Sequence, residues 1–168
     1  FPASAFAENR QGELAETAAQ SDSLGVSAQS AALIEADSGR VIYVKNGEER
    51  LPIASTTKIM TALLTLEAPN LDTYFTVDSD AIMVEGTSMG LQEGDQVSLR
   101  TLAAGMPLAS GNDAANAAAV KVGGSLDEFA IMMNKRAAQL GMKDSNFVTP
   151  SGLDAQNHYS TALDMAKL

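Results

Sequence analysis

Residues 52–62 read PIASTTKIMTA and place a serine and a lysine three positions apart, Ser55 and Lys58. The apolar residues that follow recur at helical spacing and predict a helix over 55–67. Because residues i and i+3 share one helix face, the hydroxyl and the amine would lie side by side at its start. A deprotonated Lys58 would take the proton from Ser55 and activate it for acyl transfer, and the helix N-terminus would stabilise an oxyanion.

The Ser-x-x-Lys spacing is weak support when taken alone. About half an occurrence is expected by chance in a chain of this composition, and the alternative is a helix N-cap serine beside a solvated lysine. The apolar flanks favour chemistry because they would remove water from the Lys58 amine. For Lys58 to act as a base near neutral pH, its pKa must fall by about three units, which costs about 4 kcal/mol.

The composition is that of a globular, acidic chain without cysteine. Of the 168 residues, 45% are hydrophobic, and the formal net charge is -10. This size supports one well-cored domain, and the acidic surface argues against nucleic acid and anionic lipid as main partners. The lack of cysteine excludes disulfides, thiol catalysis and cysteine-ligated metals.

The first residues indicate export. Phe1–Ala7 reads FPASAFA, in which Ala5-Phe6-Ala7 fits the small-x-small rule for signal-peptidase cleavage. A chance alanine-rich start is the alternative. We expect residues 1–29 to be a signal-peptide remnant and a mobile leader, and residues 30–168 to be the folded part. The sequence has no apolar run of about 18 residues that would span a membrane.

Hydrophobic patterning predicts a β-hairpin followed by a largely helical region. Two β-rich runs at 31–36 and 41–44 flank turn-forming residues at 37–40. The helix over 55–67 carries an apolar stripe of Ile59, Ala62, Leu63 and Leu66, widened by Met60 and Leu64. That width predicts burial on most sides. Mixed β character is predicted over 73–84, and further helices over 98–108, 111–122, 125–140 and from 160 or 161 onward.

Ser110-Gly111-Asn112 is a second candidate element. Ser-x-Asn is also expected about once by chance, and its structural alternative is a turn and N-cap that open the alanine-rich helix. In the functional interpretation, the Ser110 hydroxyl relays a proton toward a leaving group, and the Asn112 amide binds a substrate carbonyl and the Lys58 amine. Both elements stand at the mouth of a predicted helix, which favours the functional interpretation.

Five stretches follow one another along the chain in a family's order. They are residues 52–62, Gly94-Asp95, SGNDAA at 110–115, PSGLD at 150–154 and HYSTA at 158–162. Together they resemble the serine-type D-alanyl-D-alanine carboxypeptidases, which are low-molecular-mass penicillin-binding proteins. The resemblance covers roughly residue 30 to the end. It implies an α/β (α+β) class and the β-lactamase/transpeptidase-like serine transferase fold, with an antiparallel sheet, flanking helices and an inserted helical region.

The same resemblance implies a role for each candidate residue. Ser55 would be the acylated nucleophile, Lys58 the general base, Ser110 the proton relay and Asn112 a substrate contact. The implied reaction removes the terminal D-alanine from a peptidoglycan stem peptide ending in D-Ala-D-Ala, and β-lactams would acylate the same serine. No metal or organic cofactor is implied. The implied location is the bacterial cell envelope, in the periplasm or on the outer face of the cytoplasmic membrane.

The third motif of that family, Lys-Thr-Gly, is absent from the sequence. In the family it binds the substrate carboxylate and lies beside the second oxyanion donor, and Lys121-Val122-Gly123 lacks the hydroxyl. Without the strands that carry it, the hairpin would keep an open edge and an uncovered apolar face. We therefore expect the N-terminal portion of a catalytic domain, completed by a second chain or a C-terminal segment. Alone it would be poorly active, since losing an oxyanion donor costs about 10²–10³ in rate.

Two other functions are compatible with these residues. A β-lactamase-like hydrolase would keep the fold and deacylate fast, and a non-catalytic pseudoenzyme or binding partner would keep two motifs without the third. His158, the only histidine, is expected to be structural or on the surface. Asp113 is expected to support the first turn of its helix through the helix dipole.

Overall fold

A short hairpin, a small second sheet and a mainly helical body make up the described chain. The computed structural model describes residues 24–168. Its strands are β1 (Ala31–Ile34), β2 (Val41–Lys45), β3 (Phe75–Thr76) and β4 (Gln96–Val97). Its α-helices are α1 (Lys58–Glu67), α2 (Ser79–Ile82), α3 (Leu99–Ala109), α4 (Asn112–Gly123), α5 (Leu126–Gln139) and α6 (Ala162–Lys167). A 3-10 helix over Ala54–Thr57 leads into α1.

The predicted hairpin is present as an antiparallel pair of β1 and β2. Leu33 lies opposite Tyr43, and the register is irregular between Leu33 and Ile34. Within residues 24–168 this sheet has two strands, and β3 pairs with β4 in another two-stranded sheet. Leu33 and Ile42 are 53% and 48% exposed. The hairpin therefore keeps apolar side chains half exposed to solvent.

Helix α4 lies between two apolar clusters because its alanines let neighbouring helices approach closely. On one side Ala119 packs with Phe129 and Met133 of α5 and with Met60 of α1. On the other side Ala114, Ala115, Ala117 and Ala118 pack with side chains that include Leu102 and Met106 of α3. Each of these alanines is at most 2% exposed. The start of α4, which carries the Ser-Gly-Asn turn, is thus fixed against the rest of the body.

The buried face of α1 differs from the predicted stripe. Ile59 and Leu66, two members of that stripe, are 51% and 48% exposed. The fully buried positions in α1 and at its N-cap are Thr57, Met60, Thr61 and Thr65. Thr61 Oγ1 donates to Pro150 O at 2.6 Å, and Thr65 Oγ1 donates to Thr61 O at 2.7 Å. A paired hydroxyl can be buried at little cost, so a pattern built from apolar residues alone missed this face. Burial of the helix is as broad as predicted, since five of its ten residues are buried and two are half-buried, but the predicted apolar stripe lies on its exposed side.

Three helices begin at capping residues that lie at the predicted helix starts. The N-caps of α3, α5 and α6 are Ser98, Ser125 and Thr161, and each side chain accepts a backbone N–H three residues further on. Helix α4 ends at Gly124 in a left-handed conformation.

One segment differs from the sequence prediction. The segment 73–84 contains the two-residue strand β3 and then α2, because the Asp78 side chain accepts from two N–H groups and caps a helical turn. Helix α3 (Leu99–Ala109) lies within one residue of the predicted 98–108, because Pro107 stands near the helix end and removes a single hydrogen bond.

Much of the predicted leader lies outside the described residues. The signal-peptide assignment to Phe1–Ala7 falls there entirely. Within residues 24–29, the carbonyls of Val26 and Gln29 accept hydrogen bonds from Lys45 Nζ (2.7 Å) and Asn46 Nδ2 (2.8 Å). None of the helices within residues 24–168 has the length and apolar character needed to cross a bilayer.

Candidate active site

Ser55 and Lys58 meet where the 3-10 helix passes into α1. Ser55 is exposed within the 3-10 helix, and Lys58 is the first residue of α1. Lys58 Nζ donates to Ser55 Oγ across 3.1 Å, while the lysine as a whole is only 4% exposed. The structure thus brings the predicted pair together. An accessible hydroxyl faces an amine that is largely removed from water.

The Lys58 amine is buried without a charged partner. Its other acceptor is Ser151 O, 2.7 Å away, and no ion pair in the described part of the chain includes Lys58. Burial lowers the pKa of Lys58 from its ordinary 10.5, because an ammonium is poorly solvated there. A lysine with a lowered pKa is more readily neutral, which is the form that can take a proton from the adjacent hydroxyl.

Two residues beside this pair have left-handed backbone conformations that their side chains disfavour. Over residues 24–168, the non-glycine residues with positive φ are Asn46, Ala54, Asn70, Ser110 and Asn157. Asparagine tolerates this region, but for Ala54 (φ 44°) and Ser110 (φ 51°) it costs about 1–2 kcal/mol each. Ala54 precedes Ser55, and Ser110 opens the Ser-Gly-Asn turn. Such strain concentrates at functional sites, where surrounding contacts hold it.

Two clefts connect the serine–lysine pair with the Ser110-Gly111-Asn112 turn. One is an open, mainly apolar groove of about 630 Å³ along α1, lined in part by Ser55, Lys58 and Ser110. The other has a volume of about 240 Å³ and is bordered by Ser55, Asn112 and residues 151–154. Both clefts share Ser55. All four residues predicted to form the site therefore border the same region of surface.

The Asn112 amide makes no hydrogen bond to Lys58 within the described residues. Its Nδ2 donates to Glu85 O at 2.7 Å, and within the described residues the hydrogen bonds of Lys58 Nζ go to Ser55 and Ser151. The predicted contact between Asn112 and the lysine amine is therefore not made in this structure. Asn112 is instead held by the segment of residues 85–91, which the sequence did not connect with the site.

His158 is buried beside the site and has a structural role, which is one of the two roles expected for it. It is 7% exposed, and its Nδ1 accepts from Val148 N (2.9 Å) and Thr149 N (3.3 Å). Since backbone N–H groups only donate, Nδ1 carries no proton, and the neutral ring has its proton on Nε2. Nε2–H then donates to Thr57 Oγ1 at 2.8 Å. The imidazole thus ties residues 148–149 to the residue that precedes Lys58.

Gly152 allows a very close approach between residues 149–152 and the 3-10 helix. Its φ is +83°, and a Cβ built on it would lie 1.9 Å from Ala54 O. Only glycine fits such a position, and it brings the carbonyl of Ser151 to Lys58. The sequence grouped residues 150–154 and 158–162 with the other motifs but gave neither Ser151 nor Gly152 a role. A backbone acceptor leaves no side-chain pattern by which it could have been found.

Comparison with known proteins identifies the family. A model of the D-alanyl-D-alanine carboxypeptidases matches residues 15–168. The chain belongs to the D-alanyl-D-alanine carboxypeptidase family. Membership confirms the family that the five sequence stretches predicted.

Curated and solved members of the carboxypeptidase family are similar over most of the chain. D-alanyl-D-alanine carboxypeptidase DacF of Bacillus subtilis is 41% identical over 171 residues, which cover 99% of this chain and 42% of DacF. The crystal structure of DacD from Francisella tularensis matches with a TM-score of 0.81 and 34% identity, covering 86% of this chain and 36% of that one. Penicillin binding protein 6B from Escherichia coli matches with a TM-score of 0.77 and 36% identity, covering 82% and 47%.

These matches confirm the predicted fold class, that of the penicillin-binding carboxypeptidases. The chain spans about two fifths of the length of the DacF carboxypeptidase that it matches. The serine–lysine pair, the Ser-Gly-Asn turn and the residues around His158 all lie inside the matched region, residues 15–168.

Proposed function

We propose that the protein is a serine-type D-Ala-D-Ala carboxypeptidase, which removes the terminal D-alanine from peptidoglycan stem peptides. The observation that carries this proposal is the 3.1 Å contact between the Lys58 amine and the Ser55 hydroxyl. Membership of the carboxypeptidase family supports the substrate class. In this proposal Ser55 is the nucleophile, Lys58 the general base, Ser110 the proton relay and Asn112 a contact for the substrate.

Acylation starts from neutral Lys58. Ser55 Oγ attacks the carbonyl carbon of the penultimate D-alanine, and its proton passes to Lys58 Nζ. The C–N bond of the tetrahedral intermediate then breaks, and the leaving amine takes a proton that Ser110 Oγ relays from Lys58. The products are free D-alanine and an ester between Ser55 and the shortened peptide. The lowered pKa of Lys58 supports the first proton transfer.

Water completes the turnover. Neutral Lys58 takes a proton from a water molecule, whose oxygen attacks the ester carbon, and Ser55 Oγ leaves and recovers its proton. A β-lactam would acylate the same hydroxyl by opening of its ring amide. The name of a similar structure, penicillin binding protein 6B, supports that part of the proposal.

Oxyanion stabilisation requires donors on the developing negative charge. Backbone N–H groups in the first turn of the 3-10 helix that carries Ser55 would supply one side. The resemblance assigns a second donor to the region of Lys-Thr-Gly, which these 168 residues do not contain. In our proposal a second chain or a C-terminal segment supplies it, and residues 1–168 alone would be acylated about 10²–10³ more slowly. The place of action would be the bacterial cell envelope, where peptidoglycan lies.

A fluorescent penicillin tests this function. We expect slow but stable covalent labelling of the protein containing residues 1–168, and loss of labelling in Ser55→Ala. Ser98→Ala is the control, since it also removes a serine hydroxyl, but one that caps α3 and lies outside the two clefts. It should lose about 1 kcal/mol of stability and keep the label. Rapid release of the label would instead indicate a β-lactamase-like hydrolase, and no label at Ser55 would indicate a pseudoenzyme.

A further inference from the structure

Asp113 is a fully buried carboxylate next to Asn112, and most of its hydrogen bonds come from outside its own helix. It is 1% exposed. Oδ1 accepts from Met89 N and Ala114 N, both at 2.8 Å. Oδ2 accepts from Ser88 Oγ (2.7 Å), Gly90 N (2.9 Å) and Leu91 N (2.9 Å). Five donors thus surround a single carboxylate.

Helix capping alone does not account for these contacts. The dipole interaction predicted from the sequence explains the bond from Ala114 N, which belongs to the first turn of α4. The other four donors belong to residues 88–91. Burial by itself would raise the pKa of Asp113, but the combined hydrogen bonds lower it, so the carboxylate is ionised. An ionised group with four bonds to one segment fixes that segment.

Residues 85–87, which directly precede residues 88–91, hold the Ser-Gly-Asn turn at both ends. Thr87 Oγ1 donates to Ser110 O at 2.6 Å, and Thr87 O accepts from Asn112 N at 2.8 Å. Glu85 O accepts from Asn112 Nδ2 at 2.7 Å, and a Cβ on Gly86 would lie 2.7 Å from that nitrogen. The left-handed conformation of Ser110 and the orientation of the Asn112 amide therefore both depend on where residues 85–87 lie.

We propose that Asp113 is a positioning residue for the acylation site. By fixing residues 88–91, it sets the place of residues 85–87, which in turn orient Ser110 and Asn112 toward Ser55. This inference rests on the proposed function, because it assigns Asp113 a part in the same reaction. Asp113 does not border either cleft, so it would act through the residues that it positions.

Asp113→Asn removes the charge while keeping the size of the side chain. In either orientation of the amide, its NH₂ group replaces an oxygen that accepted from two backbone N–H groups. Because NH₂ only donates, those hydrogen bonds are lost and part of the network must open. We expect faster hydrogen exchange at residues 85–91 and 110–112. Since misplacing a reacting group by about 1 Å can cost roughly 100-fold, we expect acylation by benzylpenicillin to slow by about 10–100-fold.

Asp164→Asn is the matched control for a merely structural effect. Asp164 is also buried, at 3%, and accepts from Asp144 N (2.7 Å), Ser145 Oγ (2.9 Å) and Lys167 Nζ (2.7 Å). Those partners lie outside residues 85–91 and 110–112. Asp164→Asn should lower the melting temperature to a similar extent, with little change in the acylation rate and none in the exchange of residues 85–91.

Two readouts on the protein containing residues 1–168 decide the inference. The exchange measurement needs no activity, so unchanged exchange at residues 85–91 and 110–112 in Asp113→Asn overturns the inference even if the wild type is never acylated. A wild type without acylation contradicts the proposed function instead. If the wild type is acylated and Asp113→Asn slows it no more than Asp164→Asn does, the positioning role is wrong. A larger effect in Asp113→Asn, together with local exchange, supports it.

Discussion

Lys58 Nζ lies 3.1 Å from Ser55 Oγ, with the lysine buried and the serine exposed. The amine is held on its other side by the carbonyl of Ser151 at 2.7 Å and by no carboxylate among residues 24–168. A neighbouring carboxylate would stabilise the ammonium form of Lys58, which cannot accept a proton. A carbonyl instead orients the amine without adding a negative charge, which suits a lysine that must lose its proton.

The acylation rate should rise with pH along a limb set by Lys58. Burial lowers the pKa of Lys58 below 10.5, and only the neutral amine accepts a proton from Ser55. The rate should therefore increase as pH rises through that lowered pKa and level off above it. Second-order rate constants for benzylpenicillin between pH 5 and about 10 measure this. A rate that is independent of pH over the whole range would show that Lys58 is not the base.

Lys58→Arg should lose acylation while keeping the positive charge. Arginine is not deprotonated in proteins, so it cannot take the proton from Ser55. We expect a decrease of about 10²–10⁴-fold in the acylation rate, the usual contribution of a general base. Lys143→Arg is the control, because Lys143 is exposed and does not line either cleft. Equal acylation rates in the two variants would contradict the role of Lys58.

His158 should make folding stability depend on pH in a mildly acidic range. Burial lowers the pKa of His158 below 6.5, although the Asp154 carboxylate offsets part of the effect. The unfolded chain then binds more protons than the folded one below pH 6.5. Stability is therefore fully present above that pH and falls as pH drops through the folded pKa, by at most about 1.4 kcal/mol per pH unit.

The range is specific because the sequence has one histidine. Asp113 and Asp164 have pKa values lowered below 3.8 by their hydrogen bonds, which outweigh their burial, so their effects on stability come at lower pH. His158→Gln cannot titrate, so its melting temperature should fall less than that of the wild type between pH 6.5 and pH 5. An equal fall in melting temperature for the two proteins between pH 6.5 and pH 5 would refute this prediction.

Gly152→Ala should destabilise the site by steric contact as well as by backbone strain. An alanine there would meet Ala54 O at 1.9 Å, in addition to the about 1–2 kcal/mol that a left-handed alanine costs. Gly124→Ala is the control, since Gly124 has a similar φ of 84° and nothing within 4 Å of a built Cβ. Denaturant unfolding should show a clearly larger loss for Gly152→Ala, with slower acylation in that variant alone. Similar losses would mean that the close approach is relaxed in solution.

The sequence predicted the elements better than it predicted the contacts between them. Local sequence patterns predicted the helices, for example the one over 125–140, which begins after the N-cap Ser125. The buried face of α1 was misjudged, since the burial of Thr61 depends on Pro150 O, far away in the chain. Ser55 and Lys58 were identified because they belong to one local motif. The partners of Asn112 and Asp113 in residues 85–91 lie more than 20 positions away in the chain, so the spacing of residues in the sequence gave no sign of them.

The central claim is that Ser55 is the residue acylated through Lys58. Mass spectrometry of the digested protein after long incubation with benzylpenicillin tests it most directly, because it depends on the site of modification more than on the rate. The account predicts one penicilloyl group on the peptide that contains Ser55, absent from Ser55→Ala and strongly reduced in Lys58→Arg. An adduct on another residue, or an unmodified Ser55 after complete incubation, would contradict it.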